Sequence, residues 1–239
     1  MINRGRPALA AAQQSCQGSC PISTWCGRHQ ELLASAERPI QPQAMVRSAG
    51  TTIARQNDSS PALLILRAGS AKSVVQTACG AEHISNFYHP GDILNLGALE
   101  QGRHHASIVL LSPGGICHIP QSLLQAHLKH NSTLATALLQ AAMHELRHAA
   151  WLGALLSQAS AEERIFSFLY ALAQRSSALH TLPIRLQLAM ARKDMANHLG
   201  LAVATVSRTL ARLEHQGFIR CSGRTIALLK ETEGRYTFS

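Results

Sequence analysis

The amino-acid sequence predicts an α+β protein in which an antiparallel β-roll is followed by a long helix and a winged helix-turn-helix. Short aliphatic runs between turn residues fill the first half, and an unbroken helical pattern follows residue 120. A helix, glycine, helix and hairpin pattern then occupies the basic C-terminal part. The predicted segments are residues 1–35, a loop with three cysteines; 36–121, the roll; 122–158, the long helix; and 159–239, the winged helix-turn-helix.

The composition fits a folded chain of two domains with a polyanionic partner. Its 239 residues are about one and a half times a typical domain length. Hydrophobic residues make up 46%, and charged residues, at 15%, are too few for a disordered chain. The formal net charge is +9, and residues 185–230 carry eight Lys and Arg against two acids. This favours nucleic acid as a partner, with a solvated basic face as the alternative.

The sequence predicts neither a membrane span nor a signal peptide. The longest apolar run, residues 149–160, is too short to cross a bilayer, and residues 9–12 are too short for a signal sequence. We therefore expect a cytoplasmic protein with no membrane partner. In a reducing compartment its six cysteines would serve as metal or redox ligands before structural disulfides.

Residues 50–120 carry the strand signals. Runs such as residues 63–66, 73–77 and 108–111 are aliphatic or β-branched, and a turn with glycine or proline follows each of them. Many short strands at this spacing predict an antiparallel barrel or roll.

The long helix is predicted from residues 122–157, which contain no proline and one glycine. An uncharged row recurs at alternating steps of four and three residues, as in a coiled coil. This row, named the seam, consists of Ala135, Leu139, Ala142, Leu146, Ala149, Gly153 and Leu156. A second apolar row contains Leu134, Leu138, Leu152 and Leu155. A helix buried within one chain is one interpretation; we favour one face on the roll and the seam on a second subunit.

The C-terminal segment has the spacing of a helix-turn-helix. One helix is predicted over residues 192–199, with Gly200 in the turn, and another over residues 203–215. A hairpin follows in residues 218–228. Ser160, before two glutamates, predicts the start of a preceding helix. Ala196 is small where the two helices touch, and Val206 is apolar where the second helix must be locked.

In such a motif the N-terminal half of the second helix, the recognition helix, enters the major groove of DNA. Its outward residues would be Ala204, Thr205, Ser207 and Arg208. Arginine makes bidentate contacts to guanine, and serine can bond any base edge. The phosphate contacts would come from Arg192, Lys193, Arg212 and Arg224. A helical hairpin without DNA binding is the alternative.

Residues 160–230 resemble the DNA-binding domain of the CRP/FNR transcription regulators. The resemblance rests on Ala-Glu-Glu-Arg at residues 161–164 and on the run 197–210, with Asn-His-Leu-Gly-Leu and Thr-Val-Ser-Arg-Thr-Leu. Residues 50–69 resemble the first roll strands of that family, and residues 89–92 a later turn. This resemblance implies a cyclic-nucleotide-binding-like roll and a homodimer on near-palindromic double-stranded DNA, with RNA polymerase as a partner.

The segment of residues 97–106 argues against a cyclic nucleotide as the effector. A regulator of that type needs a Gly-Glu segment for the ribose and an Arg-Ser pair for the cyclic phosphate. The segment has no Arg-Ser pair, and Arg103 is displaced. We therefore expect no cyclic nucleotide.

The cysteines favour another branch of the family. Three thiolates within eleven residues, Cys16, Cys20 and Cys26, can meet around one inorganic core. Resemblance to the FNR branch implies Cys117 as the fourth ligand of a [4Fe–4S] cluster, although the first interval is Cys-x3-Cys where that branch has Cys-x2-Cys. A zinc site, a thiol–disulfide switch and unrelated core cysteines are the alternatives.

The FNR resemblance implies an oxygen-responsive regulator in which cluster binding promotes dimerisation and DNA binding. No nucleophile–base pair or phosphate-binding glycine loop stands out, so we do not expect an enzyme. The alternatives are a CRP-like regulator controlled by another effector or by thiol redox state, and a metal or redox module without DNA binding. Three positions depart from the branch: Ala204 replaces a cytosine-reading Glu, Ala202 replaces Thr, and Ala149 stands near a usual acid.

Overall fold

The computed structural model describes residues 43–130, 132–175 and 182–230. The chain divides into two compact units, Met1–Glu145 and Leu146–Ser239. The cysteine loop predicted for residues 1–35 lies outside the described residues. No helix in the described part is both long and apolar enough to cross a bilayer.

The described part of the first unit is built mainly of short antiparallel strands. They are β1 (Gln43–Arg47), β2 (Thr52–Ala54), β3 (Ala62–Ala68), β4 (Ala71–Gln76), β5 (Glu82–Tyr88), β6 (Ile93–Leu94), β7 (Ser107–Leu110) and β8 (Gly114–Pro120). A short helix, α1 (Ala98–Gln101), separates β6 from β7. One sheet has the order β1-β8-β3-β6 and the other β2-β7-β4-β5. The predicted antiparallel roll is therefore confirmed.

Strand β3 is apolar along most of its length because both of its faces are covered. Leu64 and Leu66 lie in the cluster between the two sheets, whereas Leu63 and Ile65 lie in a second cluster beside the helices that follow the roll. The turn after β3 requires Gly69, whose φ is +83°. A Cβ there would lie 2.5 Å from the carbonyl oxygen of Pro113, so the turn and the close approach both exclude a side chain.

The helical segment after the roll consists of two helices, α2 (Gln121–Leu128) and α3 (Ser132–Gln158), where the sequence predicted one. Ser132 and Thr133, residue types that favour a helix N-terminus over a helix interior, begin the second helix. Leu134 and Leu138 of α3 pack on the roll core. The part of α3 from Leu146 onward belongs to the second unit.

The second unit continues with a winged helix-turn-helix, as predicted. Its elements are α4 (Ala161–Arg175), β9 (Ile184–Gln187), α5 (Arg192–His198), α6 (Val203–His215), β10 (Ile219–Ser222) and β11 (Thr225–Leu228). The three strands form an antiparallel sheet in the order β10-β11-β9. The sequence prediction omitted β9, although its buried Ile184 and Leu186 alternate with exposed Arg185 and Gln187.

Ser160 caps α4 as its sequence context predicts. The Ser160 backbone N–H donates to Glu163 Oε2 at 2.7 Å, and the Glu163 N–H donates to Ser160 Oγ at 3.3 Å. This reciprocal pair satisfies two donors that a helix start leaves open. Hydrogen bonds from the Ser160 side chain and backbone to the carboxyl group lower the pKa of Glu163.

Candidate nucleic-acid interface and cysteine site

The turn between α5 and the recognition helix α6 is fixed by backbone geometry and by one arginine. Gly200 has φ +62°, and the Leu201 N–H donates to the Ala196 carbonyl at 2.9 Å. The Arg164 Nε donates to the Ala159 carbonyl at 2.9 Å, and its Nη1 donates to the Leu199 carbonyl at 3.1 Å. Arg164 therefore joins the end of α3 to the helix-turn-helix turn.

The recognition helix has one buried and one open face. Its buried residues are Val206, Thr209, Leu210 and Leu213. Ala204 and Arg208 are exposed, and Thr205 and Ser207 are half-buried. Val203, which the sequence analysis did not single out, is 48% exposed in the first turn. An exposed apolar side chain here can contact a thymine methyl group. No sequence pattern marked Val203, because only the structure shows that its side chain is exposed.

The predicted phosphate-binding residues differ in their surroundings. Lys193 and Arg224 are exposed. The Arg192 Nη1 donates to Ser207 Oγ at 3.4 Å, a long contact between α5 and the recognition helix. The Arg212 Nη1 lies 3.6 Å from Glu162 Oε2, so the charge of Arg212 is partly compensated before any DNA is bound.

The seam along α3 is largely uncovered in the single chain. Leu139 and Leu146 are 60% and 61% exposed, and Ala135, Ala149 and Gly153 are also exposed. The second row is buried: Leu134, Leu138, Leu152 and Leu155 are at most 8% exposed. The helix thus has one covered face and one apolar face open to solvent.

Three further side chains refine that seam. Met143, which the sequence analysis omitted, is 44% exposed beside it. Ala142 and Leu156 are only half-buried. Leu156 Cδ2 lies 3.7 Å from the position that a Cβ on Gly200 would take, so Leu156 also packs on the helix-turn-helix of its own chain.

Cys117 lies in β8 and is 1% exposed. It belongs to the same apolar cluster as Leu134 and Leu138 of α3. The neighbouring strand β1 places Ala44 opposite Cys117 and Gln43 opposite His118. Strand β1, which follows the N-terminal cysteines in the sequence, therefore runs beside the strand that carries Cys117.

The other three predicted ligands, Cys16, Cys20 and Cys26, lie outside the described residues. Within the described ranges no group of three or more His, Cys, Asp and Glu is placed to hold a metal. Cys79 is exposed in a turn, where a hydrogen bond with Thr77 lowers the pKa of its thiol. Burial raises the pKa of the half-buried Cys221.

A group of titratable residues lies where α3 covers the roll. Burial raises the pKa of Glu145, and the charge of Asp92 raises it further, whereas His105 opposes both effects. Burial also raises the pKa of Tyr88 to about 12. Glu145 is thus a carboxyl on the covered face of α3, where its ionised form is disfavoured.

Three polar side chains in or beside the segment of residues 97–106 bond within the chain. Arg103 Nη1 donates to the Asn57 carbonyl at 2.8 Å, and His105 Nε2 lies 3.1 Å from the Gly97 carbonyl oxygen. Asn95, at φ +52°, donates to the Ala106 carbonyl at 2.8 Å. Burial lowers the pKa of the adjacent His104.

Two family models match this chain. Residues 163–233 match a Crp-like helix-turn-helix domain, and residues 46–131 match a cyclic nucleotide-binding domain. The anaerobic regulatory protein of Haemophilus influenzae is 31% identical over 222 residues, which cover 89% of this chain and 83% of that protein. The fumarate and nitrate reduction regulatory protein of Escherichia coli K12 is 29% identical over 222 residues, which cover 89% of this chain and 86% of that protein.

Solved structures show the same architecture. FixK2 from Bradyrhizobium japonicum superposes with a TM-score of 0.71 at 27% identity, covering 79% of this chain and 93% of that one. A CooA mutant from Carboxydothermus hydrogenoformans superposes with a TM-score of 0.66 at 18% identity. The superposition covers 85% of this chain and 91% of that one. The second likeness concerns the fold alone.

Proposed function

The chain belongs to the CRP/FNR family and is a DNA-binding transcription regulator of the anaerobic regulatory type, and we propose that it senses oxygen through a [4Fe–4S] cluster. The ligands would be Cys16, Cys20, Cys26 and Cys117. Thiolates are the ligands that such clusters use, and four of them complete the set. When bound, the cluster would supply the oxygen-sensitive chemistry.

The observation that carries this proposal is the position of Cys117. Its side chain shares one apolar cluster with Leu134 and Leu138, which lie on the covered face of α3. A ligand fixed at Cys117 therefore restrains the packing under the same helix that presents the seam. A change at this cysteine would therefore reach the dimer surface through the packing of Leu134 and Leu138.

The course of the chain is compatible with this ligand set. Gln43 lies opposite His118, the neighbour of Cys117. The 17 residues from Cys26 to Gln43 could span up to about 55 Å, so the N-terminal thiolates can reach Cys117. Zinc would accept the same four thiolates, and only metal analysis separates the two.

The exposed seam would form the homodimer. Leu139 and Leu146 each leave more than half of their surface in water, and burying such side chains contributes about 1–2 kcal/mol each. A two-fold dimer would place two recognition helices about one DNA turn apart, which matches a near-palindromic site. RNA polymerase is the protein partner that we expect for a regulator of this type.

The recognition helix would contact bases through its exposed first two turns. Arg208 is suited to a guanine, Ser207 and Thr205 to base edges, and Val203 with Ala204 to thymine methyl groups. Arg192 and Lys193 at the start of α5 would contact phosphates and fix the register. Arg212 would contribute less, because it already faces Glu162 at 3.6 Å.

The decisive experiment is metal analysis of anaerobically purified protein. We expect a brown chromophore with iron and sulfide that is lost in air, together with specific DNA binding that is lost with it. Cys→Ser at any of the four ligand positions should abolish both. Cys79→Ser and Cys221→Ser are the matched controls and should keep both. Stoichiometric zinc without iron in the wild-type protein would refute the cluster.

A second experiment separates base contacts from phosphate contacts. Arg208→Ala should cost about 1–3 kcal/mol at one guanine and relax the preference there. Arg212→Ala should weaken binding to all sequences alike and only slightly, because Glu162 already offsets its charge. A binding selection with each variant measures both. Equal, sequence-independent losses would show that Arg208 contacts a phosphate.

A further inference from the structure

A small cavity lies beneath the C-terminal hairpin, on the sheet face that is turned toward the helices α5 and α6. It is bounded by the loop after β9, the first turn of α5, one residue of α6 and the hairpin of β10 and β11. Its volume is about 200 Å³. Sites for drug-sized ligands measure about 300–1,000 Å³, so only a smaller molecule fits this space, here named the hairpin cavity.

The wall of the hairpin cavity is mainly apolar. Five large apolar side chains line it, and each is at most 8% exposed: Leu188, Met190, Met195, Leu210 and Ile226. The strand register places Cys221 opposite Ile226, and the Cys221 thiol is a further part of the lining. Methionine side chains are flexible and adapt to the shape of a guest. The wall therefore favours a molecule with a hydrocarbon body.

The charged residues of the lining are both basic. They are Arg192 at the start of α5 and Arg224 in the hairpin turn. The Leu188 N–H donates to the Arg224 carbonyl at 2.9 Å, which fixes this turn at the edge of the cavity. Among the described residues no Asp or Glu lines the cavity. The edge thus combines two positive charges with an apolar interior.

The acids nearest to this edge have backbone partners. Asp194 Oδ2 accepts from the Ala191 N–H at 3.2 Å, and Glu214 Oε1 accepts from the Cys221 N–H at 2.7 Å. Burial and the charge of Glu214 raise the pKa of the Cys221 thiol, whereas the charge of Arg192 lowers it. The positive charge of Arg192 therefore acts on a group that lines the cavity.

We propose that the hairpin cavity binds a small organic anion with an apolar body, of the class of short-chain aliphatic carboxylates. The hydrocarbon lies against Met190, Met195 and Ile226, and the carboxylate is held at the edge by Arg192 and Arg224. Arginine binds carboxylates through paired, charge-assisted hydrogen bonds. A DNA phosphate cannot replace such a guest, because it carries no apolar body that reaches into the cavity.

The guest should weaken DNA binding, and this consequence rests on the proposed function. Arg192 is assigned there to a phosphate, and Arg224 is predicted to contact another. A carboxylate bound between them removes positive charge from the DNA surface of each subunit. Because such coupling is reciprocal, DNA should weaken the binding of the guest by the same factor. The hairpin cavity would therefore be a second regulatory site, separate from the cysteine ligands.

Binding is measured without DNA, by alkylation of the full chain purified anaerobically. Sodium hexanoate is the probe, iodoacetamide is the reagent, and mass spectrometry quantifies Cys221 and Cys79 separately at constant ionic strength. At about ten times its Kd, hexanoate should slow the alkylation of Cys221 about tenfold. The exposed Cys79 should react at an unchanged rate. Acetate should need a roughly 100-fold higher concentration, since each methylene that hexanoate buries contributes up to about fourfold.

Uncharged hexanamide tests the requirement for an anion. It has the same hydrocarbon body as hexanoate, but it offers the arginines a neutral acceptor. Hydrogen bonds to charged groups are stronger than those between neutral groups. Hexanamide should therefore protect Cys221 at least about tenfold more weakly than hexanoate does.

Two double variants with the same change in net charge locate the carboxylate. Arg192→Gln/Arg224→Gln removes both guanidinium groups from the cavity edge and should reduce protection by hexanoate to the level of hexanamide. Arg185→Gln/Arg220→Gln is the matched control, because these two exposed arginines lie on the outer face of the same sheet. The control should keep full protection. All four side chains are exposed, so both variants should fold.

The effect on DNA binding is measured with a duplex selected by the wild-type protein. Saturating hexanoate should lower the affinity. It should also reduce the slope of log K against log salt by about 2, since losing one phosphate contact in each subunit removes about 0.9 apiece. Arg192→Gln/Arg224→Gln should bind the duplex more weakly and should no longer respond to hexanoate.

The outcomes separate the cavity from the proposed function. Unchanged alkylation of Cys221 in hexanoate, equal protection by hexanamide, or full protection in Arg192→Gln/Arg224→Gln would overturn the anion site while leaving DNA binding intact. Full protection with unchanged DNA affinity would overturn the regulatory role. Failure of the wild-type protein to bind any duplex would contradict the proposed function itself, and the alkylation result would still decide whether the cavity binds the anion.

Discussion

The two units of this chain place the side chains proposed to be functional in opposite environments. In the first unit Cys117 is 1% exposed inside an apolar cluster, and residues 43–145 carry six Lys and Arg against five Asp and Glu. In the second unit Ala204 and Arg208 lie on an exposed helix face, and residues 146–230 carry eleven Lys and Arg against four acids.

This difference separates two ways in which a residue acts. A buried ligand is coupled to the packing around it, so a change there alters the stability of the fold. An exposed basic or base-contacting residue alters affinity and leaves the fold nearly unchanged. Helix α3 contributes to both units and shows both environments side by side, since Leu138 is 8% exposed and Leu139 is 60% exposed.

The largest effect should come from the covered face of α3. Leu138→Ala should lower the free energy of unfolding by about 2–5 kcal/mol, because it leaves a cavity beside Cys117. The matched change Leu139→Ala should alter the unfolding of the monomer by less than about 1 kcal/mol and should instead weaken the dimer. Denaturation at several protein concentrations measures both. Similar losses of monomer stability would show that the two faces are wrongly distinguished.

A charge on the seam should have the next largest effect. Ala149→Asp would bring two carboxylates together in the proposed dimer, and such like-charge pairs cost several kcal/mol, here about 3 kcal/mol. The cluster-free protein should shift to monomer and depend more strictly on the cluster. Gln140→Asp, an exposed position outside the seam, is the control. Sedimentation measures the shift, and unchanged association in Ala149→Asp would place the dimer on another face.

Base preference in the second unit should change by a smaller amount. Ala204 cannot accept a hydrogen bond from cytosine N4, so the wild-type site should be degenerate or prefer thymine at that pair. Ala204→Glu should add about 1–3 kcal/mol of discrimination for cytosine while leaving the unfolding transition unchanged. A binding selection measures it. Strong cytosine preference in the wild-type protein would contradict the assignment.

The smallest effect concerns the start of the recognition helix. Ala202 is the N-cap of α6, with ψ 145° and no side-chain hydrogen bond, whereas Ser160 caps α4. Ala202→Ser should raise the free energy of unfolding by about 0.5–1 kcal/mol. Ala211→Ser, exposed within the same helix, should lower it by a few tenths, about 0.5 kcal/mol. Thermal unfolding without DNA compares them, and equal shifts would argue against a capping effect.

Local pattern alone predicted several features of this protein. The recognition helix runs from Val203 to His215, the bounds that periodicity and Gly217 predict, and Ser160 caps α4. The alternation of two apolar rows on α3 also separates a covered face from an open one. These features depend on backbone propensity, capping and helical period, which act over a few neighbouring residues.

Other features depend on where distant segments meet. The pairing of Arg212 with Glu162 and of strand β9 with β11 joins residues far apart in the chain. The exposure of Val203 likewise depends on how the whole unit packs. The same holds for Cys117 beneath Leu134 and Leu138. The resemblance predicts Cys117 as a ligand, but only tertiary packing decides which helix covers it, because burial and ion pairing are set by the path of the whole chain.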